Sequence, residues 1–494
     1  MLATIMQALD TTIANVALPH MQGSLAATQD QIAWVLTSYI VAAAIMTPPT
    51  GFLAARFGRK RLFVTAVAGF TLASMLCGIA TSLTEMVAFR LLQGVFGAAL
   101  VPLSQSVLLD SYPREKHGQA MALWGIGVMV GPILGPTLGG WLTENYDWRW
   151  VFYINLPFGL LALFGILAFL PETPRDHDRR FEAFGFALLG IAIGALQMML
   201  DRGELKDWFG STEIMTEAIV AGTCFFMFVA HTLTHEKPFL DPALFRDRNL
   251  VAGLALIFLV GIILLATMAL LPPFLQNLAD YPVITTGFVL APRGVGTMIG
   301  MFVVGRLINR IDARALILFG LVLAAASLWE MAGFTPDVSQ WTLVRTGVTQ
   351  GLGLGFIFVP LSTITFSTLA PRLRTDATGL FSLMRNVGSS IGISIVMALL
   401  SRNTQINHAI LAEHVTPYGT VTGAPWFSSF WSIDSAAGIQ ALNDEVTRQA
   451  AAIAYIDDFL LMMWVTVLAA PLLLLLHKPR RAARSGSTTP VVPD

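Results

Sequence analysis

A chain of 494 residues that is 55% hydrophobic, only 12% charged and of mean hydropathy +0.68 has too little polar surface to stay in solution as a globular domain. Its formal net charge of −1, with no basic arm or aromatic-basic patch, gives no sign of a nucleic-acid partner. Apolar stretches of about 20 residues recur from end to end, each long enough to cross a hydrocarbon core of about 30 Å as a helix, so the chain reads as a polytopic membrane protein.

The first apolar run carries the polar stretch Leu9-Asp10-Thr11-Thr12-Ile13-Ala14-Asn15-Val16-Ala17-Leu18-Pro19. A carboxylate at the centre of a membrane helix costs roughly 2.5 to 3.5 kcal/mol on insertion scales, which makes Asp10 a functional candidate by default. Helical spacing groups Gln7, Asp10, Thr11 and Asn15 into one stripe suited to a watery cavity inside a bundle. The run lacks a basic lead and a small-residue cleavage site, so a retained first span is expected. With nine residues ahead of Asp10 it is barely a membrane thick, which suggests a truncated start.

Further apolar runs follow at about 31–55, 61–81, 86–110, 119–143, 149–170, 183–202, 214–234, 249–277, 284–310, 314–334, 341–370, 376–401 and 455–477, for about fourteen spans. Basic residues fall on alternate connections: Arg56, Arg59, Lys60 and Arg61, then Arg114 and Lys116, Arg175, Arg179 and Arg180, Lys237, Arg246 and Arg248, Arg310 and Arg314, Arg372 and Arg374, and the tail. The positive-inside rule then puts both termini in the cytoplasm of a cell inner membrane protein.

The chain also repeats itself. Pro102-Leu103-Ser104 before Pro113-Arg114 matches Pro360-Leu361-Ser362 before Pro371-Arg372, and Gln93-Gly94 matches Gln350-Gly351 with an offset of one residue. Two parallel halves are implied. The expected organisation is a six-helix half over 1–170, a cytoplasmic linker at 171–182, two inserted helices over 183–234, a loop at 235–248, a second six-helix half over 249–478 and a tail at 479–494. The linker, Pro171 to Arg180, reads as a solvated connector. A large external loop over 402–454, with Pro417, Gly419, Gly423 and Pro425, is the expected docking surface for an outside partner.

These motifs, in this order, resemble the major facilitator superfamily, in particular its fourteen-span drug/proton antiporter branch with the EmrB-type exporters. The resemblance is carried by Leu9 to Pro19, the loop motif Gly51, Arg56, Gly58, Arg59 and Lys60, and the trio Arg90, Gln93 and Gly94. It is carried further by Gly127, Gly131, Pro132, Gly135, Pro136, Gly139 and Gly140, by Trp148 to Pro157, and by Leu200-Asp201-Arg202-Gly203 to Trp208-Phe209. The resemblance implies an all-helical membrane fold of two six-helix halves plus two inserted helices, and export. The loop motif departs from the family by carrying Ala55 where relatives have an acid, which puts that acid's charge latch in question.

Arg90 is a fixed cation within the fourth span and the natural partner of Asp10; the pair is expected to couple to protons, against the alternative of a permanent structural ion pair. The glycine- and proline-rich fifth span is expected to form an interface between the halves that flexes or seals. Gln7, Asn15, Trp34, Tyr39, Gln93, Ser104, Arg385 and Ser389 are the expected cavity residues, Arg385 sharing a face with Thr378, Ser382 and Ser389. Glu330 reads as a snorkelling acid or a second proton site, Arg345 as interfacial, and Asp457 and Asp458 as acids at the start of the last helix. No P-loop, metal-ligand cluster or nucleophile with a base appears, so neither a cofactor nor an enzyme is expected.

The expected function is a proton-coupled antiporter exporting hydrophobic or amphipathic drugs by alternating access, with the lipid bilayer as its medium. A periplasmic adaptor and an outer-membrane channel are the partners implied by the resemblance. The alternatives are a dedicated exporter of one metabolite or siderophore and, from other classes, a membrane sensor or a polytopic enzyme.

Overall fold

The computed structural model describes residues 1–173, 175–176, 181–236, 238–415, 431 and 435–477. The linker residues 174 and 177–180, Lys237, the loop residues Pro417, Gly419, Gly423 and Pro425, and the tail from 478 lie outside the described residues. All regular structure among the described residues is helical.

The first half comprises α1 (Leu2–Ser24), α2 (Trp34–Met46), α3 (Thr50–Phe57), α4 (Arg59–Ile79), α5 (Leu83–Gly97), α6 (Leu100–Ser111), α7 (His117–Asn145) and α8 (Asn155–Phe169). The inserted pair is α9 (Ala183–Arg202) and α10 (Thr212–Thr234). The second half comprises α11 (Arg248–Pro273), α12 (Val283–Leu307), α13 (Ala313–Met331), α14 (Gln340–Phe366), α15 (Arg374–Glu413) and α16 (Ala436–Ala469). Helix starts follow short polar caps: Ser82 Oγ accepts from Glu85 N, and Asp247, Asp312, Ser339 and Ser435 cap α11, α13, α14 and α16 in the same way. Pro48 and Pro49 interrupt the second span, which bends by 58° between α2 and α3.

Twelve helical segments among the described residues are long and apolar enough to cross a membrane, and the bent pair α2–α3 makes thirteen. The fourteenth expected span is α1, which has 23 residues and is diluted by Gln7, Asp10, Thr11, Thr12 and Asn15. It is inside the bundle, packed on α7 and α8.

The halves repeat in space as well as in sequence. α1 packs on α7 as α11 packs on α15, α2 on α5 as α12 on α14, α4 on α5 as α13 on α14, and α4 on α8 as α13 on α16. The halves meet where α7 lies along α12 and α14, and where α3 and α6 meet α15. The inserted α9 packs on both α2 and α15. Gln197 Nε2 donates to Ser390 Oγ (2.8 Å), Ser394 Oγ bonds the Leu200 carbonyl, and Thr37 Oγ1 bonds Asp201, so α9 is fastened to both halves.

Three expectations change here. The 402–454 segment is partly helix: α15 continues to Glu413 and α16 begins at Ala436, because an alanine-rich stretch with Gln, Asn, Asp and Glu propagates a helix even where it is too polar for lipid. Asp457 and Asp458 therefore stand far inside α16, where they cannot serve the helix end. The linker is not merely a solvated connector at its start: Asp176 N donates to Ala55 O (2.9 Å), Arg59 N to Thr173 Oγ1 (3.0 Å), and Glu172 lies beside Gly58. Gly58 itself has φ +92°, a conformation that favours glycine.

Candidate functional site

α1 brings Asp10 against α5, and both members of the expected charge pair are sealed from solvent: Asp10 is 1% exposed and Arg90 0%. Arg90 Nη1 donates to Asp10 Oδ2 (2.8 Å) and to Gln93 Oε1 (2.7 Å), while its Nε donates to the Val35 carbonyl of α2 (3.0 Å). The other oxygen of Asp10 accepts from Gln93 Nε2 and from Asn155 Nδ2, each at 2.8 Å. Every bonded group around this carboxyl is a donor, the arrangement an ionised carboxylate takes. The guanidinium lies 4.4 Å from the Tyr39 ring centre and 5.7 Å from that of Phe152.

Asn155 and Ser74 complete the cluster and were not among the residues singled out from the sequence. Asn155 Nδ2 also donates to Ser74 Oγ (2.9 Å), which donates to the Phe152 carbonyl (2.9 Å). The remaining amide oxygen, Asn155 Oδ1, is buried without a protein partner. A neutral amide inside a span is a weaker anomaly than a charge, and the run containing Asn155 reads first as a motif of the resemblance.

The expected stripe on α1 is divided. Asp10 turns inward, Thr11 and Asn15 are exposed, and Gln7 is half-buried with its Oε1 lacking a partner. Tyr39 belongs to the charge cluster and not to an open cavity. Trp34 is engaged elsewhere, with Arg202 of α9 set 5.1 Å from its ring centre. Ser104 is buried with an unpaired Oγ, and Ser389 turns to α11, donating to the Gly261 carbonyl (3.2 Å). Thr378 donates to Pro102 O (3.2 Å), so the α15 face holding Arg385 is packed at that end. Arg345 and Glu330 form an ion pair with each other.

The closely packed glycines of the α7 motif, Gly131, Gly135 and Gly139, face α1 of their own half and not the other half. A Cβ at Gly131 would sit 2.5 Å from Ala8 C, one at Gly135 2.0 Å from Thr12 Oγ1 and one at Gly139 3.3 Å from Ile13, all on α1 of the same half. Thr12 Oγ1 also donates to the Gly131 carbonyl (3.1 Å). Gly127 is in ordinary contact with Ile5, Gly140 meets nothing, Pro132 is half-buried, and the Pro136 side chain lies outside the described set. The face of α7 that meets the second half instead uses Gly118 against Ile308, Gly125 against Met301 and Ile133 against Gly294.

The basic-loop end is closed by contacts between halves. Gly51 leaves room for Asp376 of α15, whose carboxylate would overlap any Cβ there. Ser106 and Thr375 share a hydrogen bond (2.9 Å), and Arg374 Nη1 lies 2.5 Å from Asp110 Oδ1. Asp110 also pairs with Arg59 of the loop motif, and Lys60 Nζ caps the Leu167 carbonyl (2.8 Å). Asp110 of α6 thus supplies an acid to this end, where position 55 has none. Arg56 of the same motif also has a partner.

Two six-helix halves related by repetition, with a buried carboxylate–guanidinium pair at the heart of one, define a polytopic transporter and not an enzyme. The family model for the Major Facilitator Superfamily matches residues 1–393, and the chain belongs to that superfamily. It is 37% identical over 98% of its length to the fatty acid resistance protein FarB of Neisseria gonorrhoeae, covering 96% of that protein. It is 39% identical over 84% of its length to the multidrug export protein EmrB of Escherichia coli K12, covering 82% of it. Among solved structures, the proton:xylose symporter XylE matches with a TM-score of 0.62 at 12% identity, over 95% of this chain and 92% of that one. The human organic anion transporter MFSD10 matches with 0.58 at 16%, over 94% and 98%. At such identities these two speak for the fold alone.

Proposed function

We propose that the chain is a proton-driven antiporter that exports hydrophobic or amphipathic compounds across a bacterial inner membrane by alternating access. The observation that carries this reading is the sealed Asp10–Arg90 pair, since a buried ion pair is a poor source of stability and is retained where charge has work to do. The names of the relatives, multidrug export and fatty acid resistance, support efflux and an amphipathic cargo.

The contacts support the following cycle. With the basic-loop end taken as cytoplasmic, the clamp of Asp110, Arg59 and Arg374 closes that end. A proton arriving from outside gives Asp10 an O–H, loosens its bonds to Arg90 and Gln93, and lets that O–H donate a hydrogen bond to Asn155 Oδ1 once the amide turns. Loosening the pair releases α1, which is keyed to α7 through Gly131 and Gly135, so that the change at Asp10 is transmitted along the half. Substrate entering from the cytoplasmic side competes for the same rearrangement, and proton release inward resets the pair.

Purified protein in liposomes with an imposed pH gradient tests this directly. Substrate efflux that rises with the gradient and collapses with a protonophore is expected; efflux indifferent to the gradient would reject proton coupling. The partners implied by this reading are a periplasmic adaptor and an outer-membrane channel, met by the protruding ends of α15 and α16.

A further inference from the structure

The second half contains the counterpart of the Asp10 cluster with its acid removed. Gln93 of α5 bonds Asp10 of α1; in the repeat, Gln350 of α14 bonds Thr267 of α11, Nε2 to Oγ1 at 3.4 Å. Three residues before each glutamine stand Arg90 and Gly347. The space left by Gly347 is taken by Arg293 of α12, whose Cβ lies 3.6 Å from where a Gly347 Cβ would be. α12 occupies in this half the place that α2 occupies in the first. A guanidinium is therefore retained at this level of the repeat, supplied from the neighbouring helix, while the carboxylate has become a hydroxyl.

Arg293 is 7% exposed, and its recorded protein acceptor is the Leu264 carbonyl, 3.1 Å from Nη2. A guanidinium has five N–H donors, and here no acid pairs with it among the described residues. None is close in sequence either: α11, α12 and α14 contain neither Asp nor Glu. Gln350 Oε1 is also buried and unpaired. A second guanidinium belongs to the same region, since the backbone of Arg385 packs on Gly261, one turn of α11 from Leu264, and its Nη2 donates to the neutral amide oxygen Asn386 Oδ1 at 3.4 Å. A buried cation without a counter-charge is a large cost that a ligand's charge removes.

We infer that Arg293, aided by Arg385, is the anchor for the carboxylate of an amphipathic monocarboxylate cargo, which takes the position that Asp10 holds in the first half. The inference rests on the exporter reading above and names its substrate class. The planar fork of a guanidinium matches a carboxylate through two parallel hydrogen bonds, and Thr267 and the amide of Gln350 stand beside it.

The test is equilibrium binding of radiolabelled decanoate to the full-length protein in an uncharged detergent, with decanol as the competitor that keeps the chain and lacks the charge. Decanoate is expected to bind about tenfold or more tightly than decanol. Arg293→Gln should bring the two to parity, and Arg293→Lys should keep part of the preference. Parity in the unaltered protein, or a preference that survives in a folded Arg293→Gln variant, overturns the inference. If Arg293→Gln does not fold, the decanoate-to-decanol ratio of the unaltered protein and of Arg293→Lys decides. Binding needs no pH gradient, so loss of the antiport reading and loss of the carboxylate anchor are read separately.

Discussion

Arg374 of the second half and Asp110 of the first form an ion pair across the basic-loop end, Nη1 to Oδ1 at 2.5 Å, and the other oxygen of Asp110 holds Arg59. One carboxylate thus ties the loop motif, α6 and α15 together. Asp110→Ala should leave two arginines facing each other and weaken the closed end. Spin labels at Lys116 and Arg372 should then report a broader, longer distance distribution, together with slower transport. An unchanged distribution would show that the Ser106–Thr375 and Thr378–Pro102 contacts suffice.

Asp10→Asn should reduce gradient-driven efflux to background while substrate binding persists, because an amide keeps the shape and cannot carry the proton. Arg90→Lys should also impair efflux, since a point ammonium cannot serve Asp10, Gln93 and the Val35 carbonyl in one plane. Efflux at the parental rate in either variant would leave the pair as a structural tie.

Asn155→Leu tests the residue that completes the site. It removes the donor shared by Asp10 and Ser74, leaving two buried acceptors short of a partner at about 1 to 3 kcal/mol each. A lower thermal midpoint and slower efflux are expected; parental values in both would exclude Asn155 from the proton path.

These residues differ in how far the sequence exposed them. Asp10 and Arg90 were legible because a charge inside an apolar run demands a partner, and the spacing of the spans left few choices. The two halves were legible from the Pro-Leu-Ser and Gln-Gly repeats, which the helix pairing bears out. The partner of Trp34, Arg202, was not legible because it comes from an inserted helix whose docking on α2 no local pattern announces. The α7 glycines declared a close approach without saying to what, and α1 of the same half is the answer. The acids of α16 were misread because hydropathy places the start of the last helix where lipid begins, whereas the helix starts at Ala436.

The glycine contacts separate packing positions from open ones on a single helix. Gly131→Ala and Gly135→Ala should each displace α1, since the new methyl meets Ala8 C at 2.5 Å and Thr12 Oγ1 at 2.0 Å. Gly127→Ala, 3.6 Å from Ile5, and Gly140→Ala, with nothing within 4 Å, should be tolerated. Efflux rates and thermal midpoints of the four variants check this, and a uniform response across all four would contradict it.

Asp458 is 1% exposed in α16, with both carboxyl oxygens unpaired and Phe459, Tyr455 and Met462 among its neighbours along the helix. A polar group buried without a partner costs free energy that an apolar side chain of similar size avoids. Asp458→Leu is therefore expected to raise the thermal midpoint, equivalent to about 1 to 3 kcal/mol. A fall in the midpoint would mean that the carboxyl has a stabilising role in this apolar setting.

The last prediction concerns the ends of α15 and α16. α15 has 40 residues and α16 has 34, so at 1.5 Å per residue they run for about 60 and 50 Å, well beyond a hydrocarbon core of about 30 Å. α15 starts at the clamped basic-loop end, which sends its excess length out of the opposite side of the membrane. His408 Nε2 and Asn443 Oδ1 meet at 3.1 Å, holding the two extensions as a pair. A projecting helix pair has no place in a cycle centred on Asp10, but it offers a rigid rod for a helical adaptor to pack against. Shortening the 402–454 segment to a tight connection should spare gradient-driven efflux in liposomes and reduce resistance in cells, where the proposed transfer to an adaptor is needed. Equal loss in both settings would assign the extensions to the transport cycle, and unaltered resistance would remove the adaptor from the account.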